Sequence, residues 1–251
     1  MRRPLLVLAT LVAALAPAAP APAGVPLPAP VCLDPELLCP DLRMAPPSDL
    51  SMQRTPRGRV LLRSTNKILS LGDGPVAVEG RRRSRHVMGV QQLVSRRGGG
   101  VQKVPSAGRV VHKRIPGQGL PYWKFDDAAR MEVWSMGKRA RLVRRSPKLV
   151  YCLRDLRRTH PSRRSPRAPV FPACSQDPSA TRLVLGTSVG WADIYPASYH
   201  EQYVDVTGLR GCFALWHEAD PRNRLAESDE ANNRARTVVR LPFGRRPVGY
   251  C

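Results

Sequence analysis

The chain has 251 residues, is 42% hydrophobic and 6% aromatic, and carries 26 prolines and a formal net charge of +22. Its length allows one large domain or two small ones. The prolines exclude an architecture of long helices, because each removes a backbone donor and clashes with the preceding turn; many short strands joined by turns are expected instead.

The first 23 residues read as a signal peptide. Arg2 and Arg3 form a positive n-region, Leu5 to Ala16 is a short apolar run, and A-x-A sites end at Ala18 and Ala23. The run is short for a membrane span, and no later stretch approaches that length. The alternative is a retained N-terminal anchor. A secreted, extracellular product with no span after signal cleavage is therefore expected.

Residues 24–47 are rich in proline and read as an extended lead-in to a domain over 48–251. Arg59 to Leu71 reads as a strand, Gly72-Asp73-Gly74-Pro75 as a turn, and Val76 to Glu79 as the return strand of a hairpin. Further strands are expected over His86–Val94, Arg109–Lys113, Leu120–Phe125, Met131–Trp134, Lys148–Leu153, Cys212–Glu218 and Arg236–Leu241. Ser95–Gly100, the basic stretch Arg154–Pro169, Thr207-Gly208 and Asp220–Asn223 read as loops or turns. No apolar stripe at helical spacing and no internal repeat is present. The pattern predicts an all-β fold, a single antiparallel β-sandwich with long loops.

Six cysteines follow the signal segment: Cys32, Cys39, Cys152, Cys174, Cys212 and Cys251. An even count in an exported chain reads as three disulfides. Many pairings are open; proximity suggests Cys32–Cys39, Cys152–Cys174 and Cys212–Cys251. The basic residues are mostly arginine, in runs at Arg81–Arg85, Arg139–Arg145 and Arg154–Arg167. Such charge attracts acidic extracellular surfaces, or is a solvated face. No nucleic-acid motif accompanies it, so specific nucleic-acid binding is not expected.

Two segments carry a resemblance. The first runs Trp123-Lys-Phe-Asp-Asp-Ala-Ala-Arg-Met-Glu-Val-Trp134 and on to Lys148-Leu-Val-Tyr-Cys-Leu153. The second is Gly190-Trp-Ala-Asp-Ile-Tyr195, Gln202-Tyr-Val-Asp-Val-Thr-Gly208 and Glu227-Ser-Asp-Glu-Ala-Asn-Asn233. With Pro40-Asp-Leu42 they resemble the lysyl oxidase family, in order and over most of the mature chain. The resemblance implies a copper amine oxidase that converts protein lysines to aldehydes, releasing ammonia and hydrogen peroxide. In that family three histidines spaced by two along a strand hold copper; alternation puts them on one face.

The matching positions here are Leu120, Tyr122 and Lys124. Leucine has no donor atom, tyrosine is a protonated phenol near neutral pH, and lysine is an ammonium that repels a cation. The remaining histidines, His86, His112, His160, His200 and His217, lack metal-ligand spacing and read as surface or structural residues. The resemblance also places a lysine tyrosylquinone on Lys148 and Tyr195, which without copper are expected to stay unmodified. It implies a calcium site on Asp41, Leu42, Glu227, Asp229, Asn232 and Asn233, an oxygen-rich set suited to that ion; self-capping turn residues are the alternative.

Three functions remain open: an exported lysyl-oxidase-like protein that has lost catalysis and keeps calcium, an active copper-dependent protein-lysine 6-oxidase, and an adhesion-type β-sandwich binding module.

Overall fold

A computed structural model describes residues 31–242 and Cys251; the signal-peptide reading and the first part of the proline-rich lead-in lie outside the described residues. Among the described residues sixteen strands follow a short 3-10 turn at Val31–Leu33. They are β1 (Leu37–Leu38), β2 (Leu42–Met44), β3 (Ser48–Arg54), β4 (Val60–Ser70), β5 (Val76–Ser84), β6 (Val87–Arg96), β7 (Val101–Ile115) and β8 (Gln118–Ser135). They continue with β9 (Leu142–Arg145), β10 (Leu149–Tyr151), β11 (Arg157–Arg158), β12 (Arg182–Thr187), β13 (Trp191–Tyr195), β14 (Tyr203–Asp205), β15 (Gly211–Ala219) and β16 (Arg234–Leu241). No α-helix occurs among the described residues, and no helix there is long and apolar enough to cross a membrane.

The strands form two antiparallel sheets. The larger runs β12-β5-β6-β7-β8-β15-β16, with β1 on β6 and β9 and β10 on β8. The smaller runs β11-β13-β4-β14, with β2 and β3 also on β4. One hydrophobic core draws on both: Leu62 and Ile68 of β4 and Val204 of β14 meet Val78, Met88, Val110, Met131 and Leu215 of the larger sheet. The all-β sandwich-like class expected from the alternating pattern is therefore observed, as are the three cysteine pairs suggested by proximity.

The hairpin expected around Gly72–Pro75 is not. Its two strands belong to different sheets, so the turn is a corner between them. The N-terminal segment occupies the inner edge of that corner. Leu71 N–H donates to Asp41 O at 2.8 Å and Gly74 N–H to Cys39 O at 3.1 Å. A Cβ at Gly72 would lie 2.4 Å from Cys39 O, and one at Gly74 would lie 2.1 Å from Leu38 O. Only glycine admits such close backbone approach. The lead-in thus supplies β1 to one sheet and β2 to the other.

Two other expectations merge. Leu120–Phe125 and Met131–Trp134 are parts of one strand, β8, which passes through a positive φ of 61° at Asp127. Arg109–Lys113 is the end of the long strand β7. The basic stretch 154–169 is mostly loop, but it is anchored. Buried Asp155 accepts from Val170 N, Phe171 N, Ser188 N and the Ser188 hydroxyl, at 2.8, 3.1, 2.6 and 2.8 Å.

Candidate functional site

Strand β8 carries the three positions where the resemblance would place copper ligands. Leu120 is exposed, Tyr122 is half-buried and Lys124 has no solvent exposure. Between them Trp123 is fully buried, its indole N–H donating to Asp177 O at 2.8 Å. The strand therefore runs from solvent into the interior, and the buried member of the set is a lysine.

The Lys124 amine is fixed by tyrosines. It donates to the Tyr199 hydroxyl at 2.8 Å and lies 3.5 Å from the centre of the Tyr122 ring. The two hydroxyls are themselves 3.0 Å apart. Burial pulls the Lys124 amine down to about 7; the Glu201 carboxylate opposes this and the Lys113 ammonium adds to it. Burial also raises both phenols, more strongly at Tyr199. Tyr199 is positioned by the turn after β13, where Arg63 donates to Ala197 O and Tyr199 O at 3.1 and 2.9 Å. Glu201 is held by Lys113 at 2.6 Å.

Tyr195 belongs to the same cluster. It stacks on Tyr151 with ring centres 3.7 Å apart and meets Tyr199 edge-on at 5.0 Å. Its hydroxyl accepts from Cys152 N at 2.5 Å, and Gln202 donates to the Tyr151 hydroxyl at 2.5 Å. Burial raises both phenols well above the ordinary tyrosine range. Two residues before Tyr195, Asp193 is fully buried, and among the described residues neither of its carboxylate oxygens has a hydrogen-bond partner. Burial drives its carboxyl well above the usual range, with Arg154 opposing.

Lys148 lies apart from this cluster. It precedes β10, and its amine donates to Asp126 at 2.8 Å beside Arg109 at 2.5 Å. Among the described residues no hydrogen bond, ion pair or ring contact joins it to Tyr195. The structure thus brings Tyr122, Lys124 and Tyr195 together and leaves Lys148 and Leu120 outside.

The histidines do not assemble a replacement. His217 is buried, 2.9 Å from the Ser64 hydroxyl, and burial lowers it to about 3. His86 and His112 stack with ring centres 6.3 Å apart. Among the described residues no three His, Cys, Asp or Glu side chains converge as a metal site. Leucine, phenol and a buried lysine do not fit copper.

The second candidate site joins distant segments. Leu42 N–H donates to buried Glu227 at 2.5 Å, Asn233 donates to Glu227 at 2.9 Å, and Asn232 donates to Asp41 and Asp229 at 2.8 and 2.9 Å. The six expected residues thus fall into two hydrogen-bonded trios, Leu42 with Glu227 and Asn233, and Asp41 with Asp229 and Asn232, adjoining through the chain at Asp41–Leu42 and Asn232–Asn233. Ser228 N–H adds a bond to Pro40 O at 2.8 Å. The loop is held independently by Gln92, which exchanges two hydrogen bonds with Ala226 at 2.8 and 2.7 Å.

Among the described residues Glu227 has no cationic partner, and burial raises its carboxyl well above the usual range. The amide oxygens of Asn232 and Asn233 are buried and, among the described residues, unpartnered. The donor types, a buried carboxylate and orphaned amide oxygens, are those a hard, oxygen-seeking cation takes, although Asp41, Glu227 and Asp229 do not converge on one point.

Sequence reasoning missed Tyr199, Arg154 and Asp193 as members of the first cluster. The one available signal was that Asp193 lies two residues before Tyr195, and so on the same strand face.

A cavity of about 330 Å³ opens beside this cluster, lined by Tyr122, Tyr195, Tyr199, Arg154, Ile194, Pro196 and the Cys152–Cys174 disulfide, among others. No known protein-family model matches this chain, and no curated protein matches it.

Proposed function

We propose that the chain is an exported, lysyl-oxidase-like β-sandwich that no longer carries out copper-dependent amine oxidation. The observation that carries this reading is the Lys124 amine, buried against Tyr122 and Tyr199 at a position where the resembled family needs an imidazole. A lysine there offers a metal either an ammonium, which repels it, or an amine already engaged with a phenol. Leu120 offers nothing at all. The separate anchoring of Lys148 on Asp126 supports unmodified Lys148 and Tyr195.

In this reading the sandwich keeps a calcium clip. Asp41, Glu227, Asp229, Asn232 and Asn233, with a backbone carbonyl at Leu42, would draw together around the ion from the separated positions they hold here. It would supply the positive charge that buried Glu227 lacks and tie the first strands to the β15–β16 loop. The exposed arginines would attract an acidic extracellular surface.

The test is reconstitution with copper. The mature chain, expressed with added copper, is assayed for bound metal, for reaction with phenylhydrazine and for amine-dependent peroxide. This reading expects no stoichiometric copper, no carbonyl adduct and no peroxide. A stoichiometric quinone rejects it in favour of the active protein-lysine oxidase.

A further inference from the structure

The cavity beside Tyr195 has a charge pattern that does not suit an amine. Arg154 lines it, and among the described residues its side chain has no hydrogen-bond or ion-pair partner. Its guanidinium is close enough to Tyr122 and Asp193 to act on the titration of both. The nearby carboxylates are engaged elsewhere or neutral: Asp155, which acts on Asp193, accepts from Val170, Phe171 and Ser188. Glu201 is paired with Lys113 at 2.6 Å, and Asp193 is enclosed without a hydrogen-bond partner, an environment that favours its neutral acid. Arg154 is the charge left facing the cavity.

The walls select the rest of the ligand. Tyr122, Tyr195 and Tyr199 contribute ring faces and edges, and Ile194, Pro196 and the disulfide contribute apolar surface. A volume of about 330 Å³ lies at the small end for ligand pockets. One planar guanidinium matches a carboxylate in two parallel hydrogen bonds. A phosphate can take the same fork but has no apolar body to fill the walls.

We propose that this cavity binds a small carboxylate with a flat apolar body, held by Arg154 and packed against the tyrosines. The inference rests on the reading of Leu120–Lys124 as a strand that does not bind copper, and adds a ligand class to it.

Benzoate, benzylamine and inorganic phosphate serve as probes, with binding followed by calorimetry and by ligand-observed NMR on the intact mature chain. Benzoate is expected to bind, and benzylamine and phosphate at least tenfold more weakly. Arg154→Gln is expected to lose benzoate affinity at least tenfold, while Arg144→Gln, on an exposed strand, leaves it unchanged. If Arg154→Gln does not fold, the ranking of the three probes on the wild type decides by itself. Absence of benzoate binding, equal binding of benzylamine or phosphate, or unchanged affinity in folded Arg154→Gln overturns the proposal. Phenylhydrazine reactivity of the same preparation separates the two readings. A quinone would overturn both, whereas no quinone and no benzoate binding overturns the pocket alone.

Discussion

The Lys124 amine donates to the Tyr199 hydroxyl at 2.8 Å in a place that solvent does not reach. Folding therefore favours the neutral amine. Its folded value is about 7 against an ordinary value of 10.5, so between these limits the folded chain binds fewer protons than the unfolded chain. Stability rises with pH across that window, and the full cost is present below it. Lys124→Met removes the buried charge while the Tyr122–Tyr199 bond remains. The variant is expected to be about 2–4 kcal/mol more stable than wild type at pH 6. The gain should shrink toward pH 9, as followed by urea unfolding at each pH. A pH-independent difference would mean that Lys124 does not titrate in this way.

The clip between Asp41–Leu42 and Glu227–Asn233 predicts a response to calcium. At a hundredfold excess over the dissociation constant, bound calcium stabilises by about 2.7 kcal/mol, or a rise of about 5 °C or more for a chain of this size. EDTA should reverse the rise, and Asp229→Ala should abolish it. The ion must also displace the proton that burial favours on Glu227, so the calcium effect should grow from pH 5 to pH 8. Thermal unfolding with and without EDTA at both pH values checks this; an unchanged midpoint throughout rejects the clip as a calcium site.

Glu79 is enclosed on β5 and meets Arg81 at 2.7 Å, Lys103 at 3.2 Å and Arg182. The Arg81 hydrogen bond is the largest influence on its carboxyl, which is held down at about 2 against burial. Its stabilising effect is present above the ordinary value of 4.5 and is lost as pH falls toward 2. Glu79→Gln leaves three cations facing one another. It should cost about 2 kcal/mol at pH 7 in low salt and less in high salt. Chemical denaturation at two ionic strengths measures this.

Gly190 adopts a φ of +78°. A Cβ there would lie 2.1 Å from the Ser165 hydroxyl oxygen and 2.3 Å from His160 O. Strain and collision act together, so Gly190→Ala should destabilise by about 3 kcal/mol or more. It should also loosen the basic loop, because Thr159 N–H and His160 N–H both donate to Gly190 O. Hydrogen exchange over residues 157–166 reports the loosening.

Which parts of this structure were legible in the sequence follows from the range of the forces involved. Alternation along β4 and β15 is a local property, and the strands were readable from it. The three disulfides close short to moderate loops, and nearness in sequence identified the pairs. The Gly72–Pro75 corner failed because what separates its strands is Cys39 to Asp41, thirty residues upstream. The tyrosine cluster failed for a similar reason. Lys124, Tyr151, Tyr195 and Tyr199 meet from β8, β10, β13 and the turn that follows it, and no periodicity within one strand reports that. The nearness of Asp41–Leu42 to Glu227–Asn233 was suggested only by the resemblance, since an Asp-Leu pair and a Glu-x-Asp element carry no distance between them.

The junction of Asp41 and Leu42 with Glu227 and Asn232 spans separations of 185 and 191 residues. Such pairs make the loop-closure entropy large and the approach to the native state slow. A chain delivered from its N-terminal side emerges with β1 and β2 ahead of their sheet partners β6 and β4, yet their neighbours on β15, β16 and the loop between arrive almost last. Until the β15–β16 loop is delivered, Leu42 and Met44 lack part of their cover. The oldest stretch of the chain is thus the last to be locked, and closure there marks completion of the domain.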